Sequence, residues 1–278
     1  MISALRQLVR NRASAVALAL LVVLLVMAVF APWLAPYGPL ETAGVSRQAP
    51  DFAHWLGTDA EGRDILSRTI FGARISLQVA GVSVLLALAV GGTLGVLAGY
   101  FGGLVDEALS RLTDMMFAFP DIVLALVIMA VLGESRTNLM IAIGVVYTPI
   151  FARIARGAVL SVTRQPFIEA ARALGAGHLR IILRHVTPNI AAPMTVQVTL
   201  SLAFAILAEA ALSFLGLGVE PDAPSWGNML MAGRAVDIQA HWWVPVFPGV
   251  AITLAVLSFN VLGDGLRDVL DPRHHEGA

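Results

Sequence analysis

The chain of 278 residues is 58% hydrophobic and 13% charged, with 18 basic against 19 acidic residues, and its mean hydropathy is +0.80. Soluble domains carry about 25% charged residues, so a water-borne globule is excluded and an integral membrane protein is indicated. Cysteine is absent, which removes disulfide and thiol chemistry. All 18 basic residues are Arg, which removes an ATPase of the GxxxxGK[ST] kind because that phosphate loop needs Lys.

In chain order, apolar runs without Asp, Glu or Arg extend over Ala13–Leu40, Ile75–Val105, Thr137–Ala152, His185–Ala208 and Ile238–Gly263. Roughly 20 such residues cross a bilayer as a helix. A sixth span is placed between Leu112 and Gly133, where "MMFAFPDIVLALVIMAVL" is apolar except for Asp121 and Pro120 predicts a kink or a restarted helix. The reading is an all-α integral membrane protein with six transmembrane helices. Its segments are 1–12 before the membrane, 13–36 as the first helix, 37–74 as an outer loop, 75–265 as a five-helix core with a loop at 161–188, and 266–278 as a tail. The first helix follows Arg6, Arg10 and Arg12, yet it is long for a signal peptide and has Trp33 at the only small-residue site, so it reads as an uncleaved anchor.

The outer loop contains "HWLGTDAEGRDILSR", where Gly57 and Gly62 among acids fit either an ordered loop over the outer mouth or a plain connector. Asp106, Glu107, Arg111 and Asp114 are spaced as one polar helix face, and Asp121 is expected to cap the restarted helix. Every His lies in a loop, at a helix end or in the tail and none is buried in a span, so nucleophile and base do not meet there as a membrane protease requires. His274 and His275 read as a solvated tail rather than a metal site, and Asp264 in "LGDG" has no acidic partner in sequence.

The stretch "EAARALGAGHLRIILRHVTPN", Glu169–Asn189, is polar in an apolar chain. Pro166 opens a helix with Glu169 in its first turn, facing the positive helix end; Gly175 and Gly177 break it, and a second helix starts at His178. Arg180 and Arg184 share a face, while Ile168, Ala171, Leu179 and Ile182 are expected to face apolar material. On these residues alone the stretch is either an amphipathic loop resting on the membrane or a docking surface. Glu209 lies in the fifth span, where a charge is costly and usually faces protein or water, so it lines a pathway or makes a polar pair between helices. Orientation follows the Arg residues: twelve (Arg6, Arg10, Arg12, Arg111, Arg153, Arg156, Arg164, Arg172, Arg180, Arg184, Arg267, Arg273) fall on the side of the termini and six on the other. Both termini are therefore expected in the cytoplasm.

Glu169-Ala170-Ala171, then Gly175, then Pro188 resembles the EAA signature of membrane subunits of bacterial ABC importers, with departures at His185 and Thr187 where that pattern has Ile and Leu. "FGARISLQVAG", "LAGYFGGLVD", "LSFLGLGVEPDAPSWGNML" and "FPGVAITLAVLSFNVLGDGLRDVLDPR" resemble the C-type permease subunit of the peptide and nickel importer subfamily. The resemblance implies a type I ABC importer permease fold in the bacterial inner membrane. It implies a heterodimer with a B-type permease, one or two ATPase subunits that bind the ATP and Mg this chain does not, and an extracytoplasmic peptide-binding protein. Nickel or glutathione are the alternative solutes, an ion-driven secondary transporter is the alternative mechanism, and no nucleic acid is implied. The motor contact would fall on a short coupling helix comprising Glu169, Ala170, Ala171, Arg172, Leu174, Gly175, His178, Arg180 and Pro188, with Ala170 and Ala171 allowing close approach and Gly175 turning the chain.

Overall fold

The computed structural model describes residues 11–234 and 237–270, and every regular element within them is helical. Helix α1, Arg12–Leu34, is started by Asn11, whose side chain accepts the Ala13 N–H. It carries no charge after Arg12 and exposes Val and Leu along its length, as a lipid-facing helix does. Helix α2, Ile65–Phe101, has 37 residues, which is about 55 Å of rise against a hydrocarbon core of about 30 Å. Its first turn is tied to the chain after α1, where the Tyr37 N–H donates to the Ser67 hydroxyl at 3.1 Å, and Tyr100 and Phe101 stand at its far end.

Next come α3, Gly103–Phe117, α4, Asp121–Leu132, and α5, Arg136–Val162. The expected sixth span is this α3–α4 pair, bent by 91°, beside five long apolar helices. The 12 residues of α4 rise only about 18 Å, so α4 alone does not cross the core. Pro120 sets the break, since the residue before a proline is pushed out of the α region. The helix does restart at Asp121, but its side chain makes no capping hydrogen bond, contrary to the expected cap.

Helices α2 and α5 are locked backbone to backbone. Gly91, Gly95 and Gly99 recur every four residues on α2, and a Cβ on Gly95 would meet Ala155 Cβ at 2.7 Å and Arg156 N at 2.9 Å. Small residues at this spacing allow close helix approach where lipid supplies no hydrophobic drive. Behind α5 follow α6, Pro166–Ala173, α7, His178–Ile181, a π-helical turn at Ile182–Val186, α8, Thr187–Phe214, α9, Trp226–Gly233, and α10, Trp243–Leu270.

The loop expected over 37–74 ends at Asp64. Asp64 caps α2 by accepting the Ser67 N–H at 2.8 Å and its hydroxyl at 2.7 Å, which draws Arg68 and Arg74 into the helix. The loop is ordered: buried Arg68 donates to the Pro39 carbonyl at 2.9 Å, His54 bonds Asp64 at 3.0 Å, and Trp243 Nε1 donates to the Thr58 carbonyl at 3.3 Å. At the other end α10 runs to Leu270, past the expected boundary at 265. His274 and His275 lie outside the described residues, as do Arg6, Arg10 and Arg273.

Candidate functional site: the coupling segment and an apolar cavity

The segment after α5 is built as helix, turn, helix. Gln165 N–H closes a turn on the Val162 carbonyl at 3.0 Å, Pro166 occupies the first turn of α6, and Glu169 follows in that turn. Gly175 stands at φ +79° and ends the helix, with its N–H on the Arg172 carbonyl at 2.9 Å and that of Ala176 on the Ala171 carbonyl at 3.0 Å. From His178 the chain runs through the π turn into α8, with Pro188 in the first turn of that helix.

Burial divides the segment into two sides. Ile168, Ile181 and Val186 are buried, Ala171 and Ile182 are half-buried, and Glu169, Ala170, Arg172, Arg180, Arg184 and Pro188 are exposed. Leu179 is 70% exposed and Leu174 89%, so Leu179 does not pack on the chain's own core as Ile168 does. Once α7 buries Ile181, a residue two positions earlier lies about 200° round the helix and points outward.

The segment is also pinned to the end of α2. Tyr100 Oη and His178 Nδ1 are 2.9 Å apart, and the Arg172 guanidinium lies over the Tyr100 ring at 5.8 Å, within cation–π range. His178, itself exposed, thus ties the segment to α2, which its position between Gly177 and Leu179 does not reveal in sequence. The outward side combines apolar Leu174, Leu179 and Leu183 with the exposed Arg residues and is uncovered among the described residues.

Elsewhere, α4, α5 and α8 line an open apolar cavity of about 510 Å³, with Asp121, Ala125, Ile143, Tyr147, Leu207 and Ala211 in its walls. Phe204, Leu207, Ala208 and Ala211 are the α8 contribution, a single face at helical spacing. Glu209 lies off that face. It is fully buried and accepts the Ser76 hydroxyl at 2.9 Å and the Ser213 hydroxyl at 3.0 Å. Trp226 on α9, also fully buried, donates its N–H to the same Ser76 hydroxyl at 3.4 Å and its Nε1 to the Thr69 carbonyl at 3.0 Å. Glu209 therefore joins α8 to α2 beneath α9.

On α3, Arg111 bonds Glu107 at 2.7 Å as the polar face predicts, but Asp114 reaches across to Arg153 of α5 at 2.9 Å and Asp106 to Arg156. No cluster of three or more metal-ligating side chains occurs among the described residues.

Residues 91–276 match the family of binding-protein-dependent transport system inner membrane components, and residues 1–50 match the N-terminal transmembrane domain of oligopeptide transport permease C. The chain is 47% identical to the dipeptide transport system permease protein DppC of Alkalihalophilus pseudofirmus, covering 97% of this chain and 89% of that protein. It is 42% identical to a putative peptide transport system permease protein of Brucella abortus, covering 96% and 90%. It is 43% identical to the glutathione transport system permease protein GsiD of Escherichia coli, covering 95% and 88%. Among solved structures, an inward-facing MetNI methionine ABC transporter chain superposes with a TM-score of 0.61 at 19% identity, covering 74% of this chain and 98% of that one, a likeness of fold. The chain accordingly belongs to the inner-membrane components of binding-protein-dependent transport systems, as a C-type permease of the ABC importer fold.

Proposed function

We propose that this permease translocates short peptides handed to it by an extracytoplasmic binding protein, as one half of a pathway completed by a B-type permease. One or two cytoplasmic ATPase subunits, holding ATP and Mg, drive it, and the chain itself performs no catalysis. Both termini lie in the cytoplasm. The observation that carries this reading is the outward side of α6 and α7, where Glu169, Arg172, Leu174, Leu179 and Arg180 stand exposed on a segment secured from behind by Ile168, Ile181 and the Tyr100–His178 contact. Because α2 is about 25 Å longer than a hydrocarbon core is thick and meets this segment at its far end, a water-side partner fits the surface better than lipid does. The Leu residues supply the desolvated centre of a contact and the Arg residues its rim.

Glutathione is the second reading, favoured by relatives named for glutathione transport at the same level of identity as the peptide permeases. The two differ only in the solute, and both are short peptides chemically. The test is ATP-driven uptake of labelled dialanine into proteoliposomes holding the cognate transporter and binding protein, with unlabelled glutathione and Ni²⁺ as competitors. Uptake that dialanine dilutes and neither competitor reduces is expected. Uptake abolished by glutathione moves the assignment to glutathione, and uptake without ATP contradicts the importer mechanism.

A further inference from the structure

We propose that α3 transmits displacement of the motor-docking segment to the wall of the apolar cavity, with Asp106 and Arg156 as the positioning residues; this rests on the importer reading above. The helix has a hinge at each end. Gly102 and Gly103 adopt φ +64° and +54°, and a Cβ on either would meet nothing within 4 Å. These glycines serve backbone freedom rather than close packing. At the far end Ala118 to Pro120 turns the chain by 91° into α4.

Between the hinges α3 is held mainly by charge. Thr113 is its only buried residue. Arg156 grips Asp106 with two donors, Nη2 on Oδ2 at 2.7 Å and Nε on Oδ1, and the Ser110 hydroxyl donates to the same carboxylate at 3.1 Å. Arg153 donates to Asp114 at 2.9 Å and stacks over the Phe117 ring at 4.1 Å, at the elbow itself. A second cavity, of about 290 Å³, lies under the helix between Gly95, Ala98, Leu109, Thr113 and Ala152. Space, two hinges and a polar grip together describe a movable arm.

Both gripping Arg residues sit on α5, one turn apart. Only Thr163, Arg164 and Gln165 separate α5 from α6. The glycine stripe makes α2 and α5 one body, so a push on α6 moves that body with its two guanidinium groups. A forked Arg–carboxylate pair fixes direction as well as distance, so α3 follows. Beyond the elbow α4 places Asp121, Ile122 and Ala125 in the larger cavity. Movement beneath the membrane thus arrives at the cavity wall through the two ion pairs, the forked Asp106–Arg156 pair foremost.

The chain has no cysteine, so Ile122→Cys gives it a single thiol. In the full cognate transporter, maleimide labelling of that thiol is compared between the nucleotide-free and vanadate-trapped states. Its rate is expected to differ about tenfold between states, the scale set by one charged hydrogen bond. In Asp106→Asn and in Arg156→Gln the difference should fall below about twofold, while ATPase recruitment and hydrolysis stay near wild type. The reciprocal exchange, Asp106→Arg with Arg156→Asp, should restore the state dependence. State-dependent labelling that persists in both single variants overturns the proposal, as does equal labelling in both states without either substitution. Joint loss of recruitment, hydrolysis and labelling change without rescue by the exchange shows a merely structural pair and overturns it as well. If the unsubstituted chain recruits no ATPase, the importer reading itself has failed, which this design separates from failure of the arm.

Discussion

Gly175 combines a φ of +79° with open space around its Cβ position, so its requirement is conformational and not steric. An Ala there strains the turn by about 1–2 kcal/mol, and Gly175→Ala should weaken ATPase recruitment roughly fivefold or more. Gly175→Pro, which demands a negative φ, should abolish recruitment while the spans still insert. Equal recruitment by the Gly175→Pro chain in a detergent pull-down would show that the turn is not part of the contact. For Glu209, the two serine hydroxyls donate to its two oxygens, whereas glutamine offers one acceptor. Glu209→Gln should therefore cost about 1–3 kcal/mol, seen as a lower melting temperature of the purified complex, with uptake per assembled complex unchanged. A normal melting temperature with lost uptake would instead place Glu209 on the pathway. Outside the membrane, Asp51 accepts the His54 N–H at 2.6 Å, and that bond holds its carboxyl below the ordinary 3.8. Since the folded value lies below the unfolded one, the turn keeps its full stability above that pH and loses it as pH falls through the folded value. Amide exchange at Ala53 and His54, corrected for intrinsic rates, should accelerate only in that acid range.

Among the helices, the five long apolar runs were legible because spanning segments announce themselves by composition and length. The bent sixth was legible only as a proline inside an apolar run. Its first half escaped because α3 is amphipathic, with Asp106, Glu107, Arg111 and Asp114 among its 15 residues, and a sequence does not say whether Asp106 and Asp114 pair along their own helix or across to Arg153 and Arg156. The glycine stripe of α2 was missed although its four-residue spacing is the readable signal. That stripe makes a sharp prediction. Gly95→Val drives a side chain into the backbone of Ala152 and Arg156 and should cost about 1–3 kcal/mol or more, read as reduced yield of folded chain in detergent. Gly81→Val, where a Cβ meets nothing within 4 Å, should leave yield unchanged. Equal yields would remove the claim that α2 and α5 form one body.

The order of motifs along the whole chain carried the family, and the helix, turn, helix form of the Glu169–Asn189 stretch followed from Pro166, Gly175 and Gly177. Which side of that stretch faces outward did not follow, because the turn resets the register: Leu179 points away and Ile181 in, and the Tyr100–His178 anchor joins residues 78 apart. Long-range pairs of this kind are set by how helices pack, and neither partner shows it locally. The molecule that results has a tightly packed pair, α2 and α5, the bent α3–α4 pair beside it, an ordered loop before α2, and an exposed surface on α6 and α7. The measurement that tests this most directly is ATP-driven uptake of labelled dialanine by proteoliposomes of the complete transporter, with the chain either unaltered or carrying Leu174→Asp and Leu179→Asp. Both side chains are largely exposed among the described residues, at 89% and 70%. The account predicts ATP-dependent uptake by the unaltered transporter, and loss of both ATPase recruitment and uptake in the substituted one with the membrane helices still folded. Full uptake by the substituted transporter would contradict it.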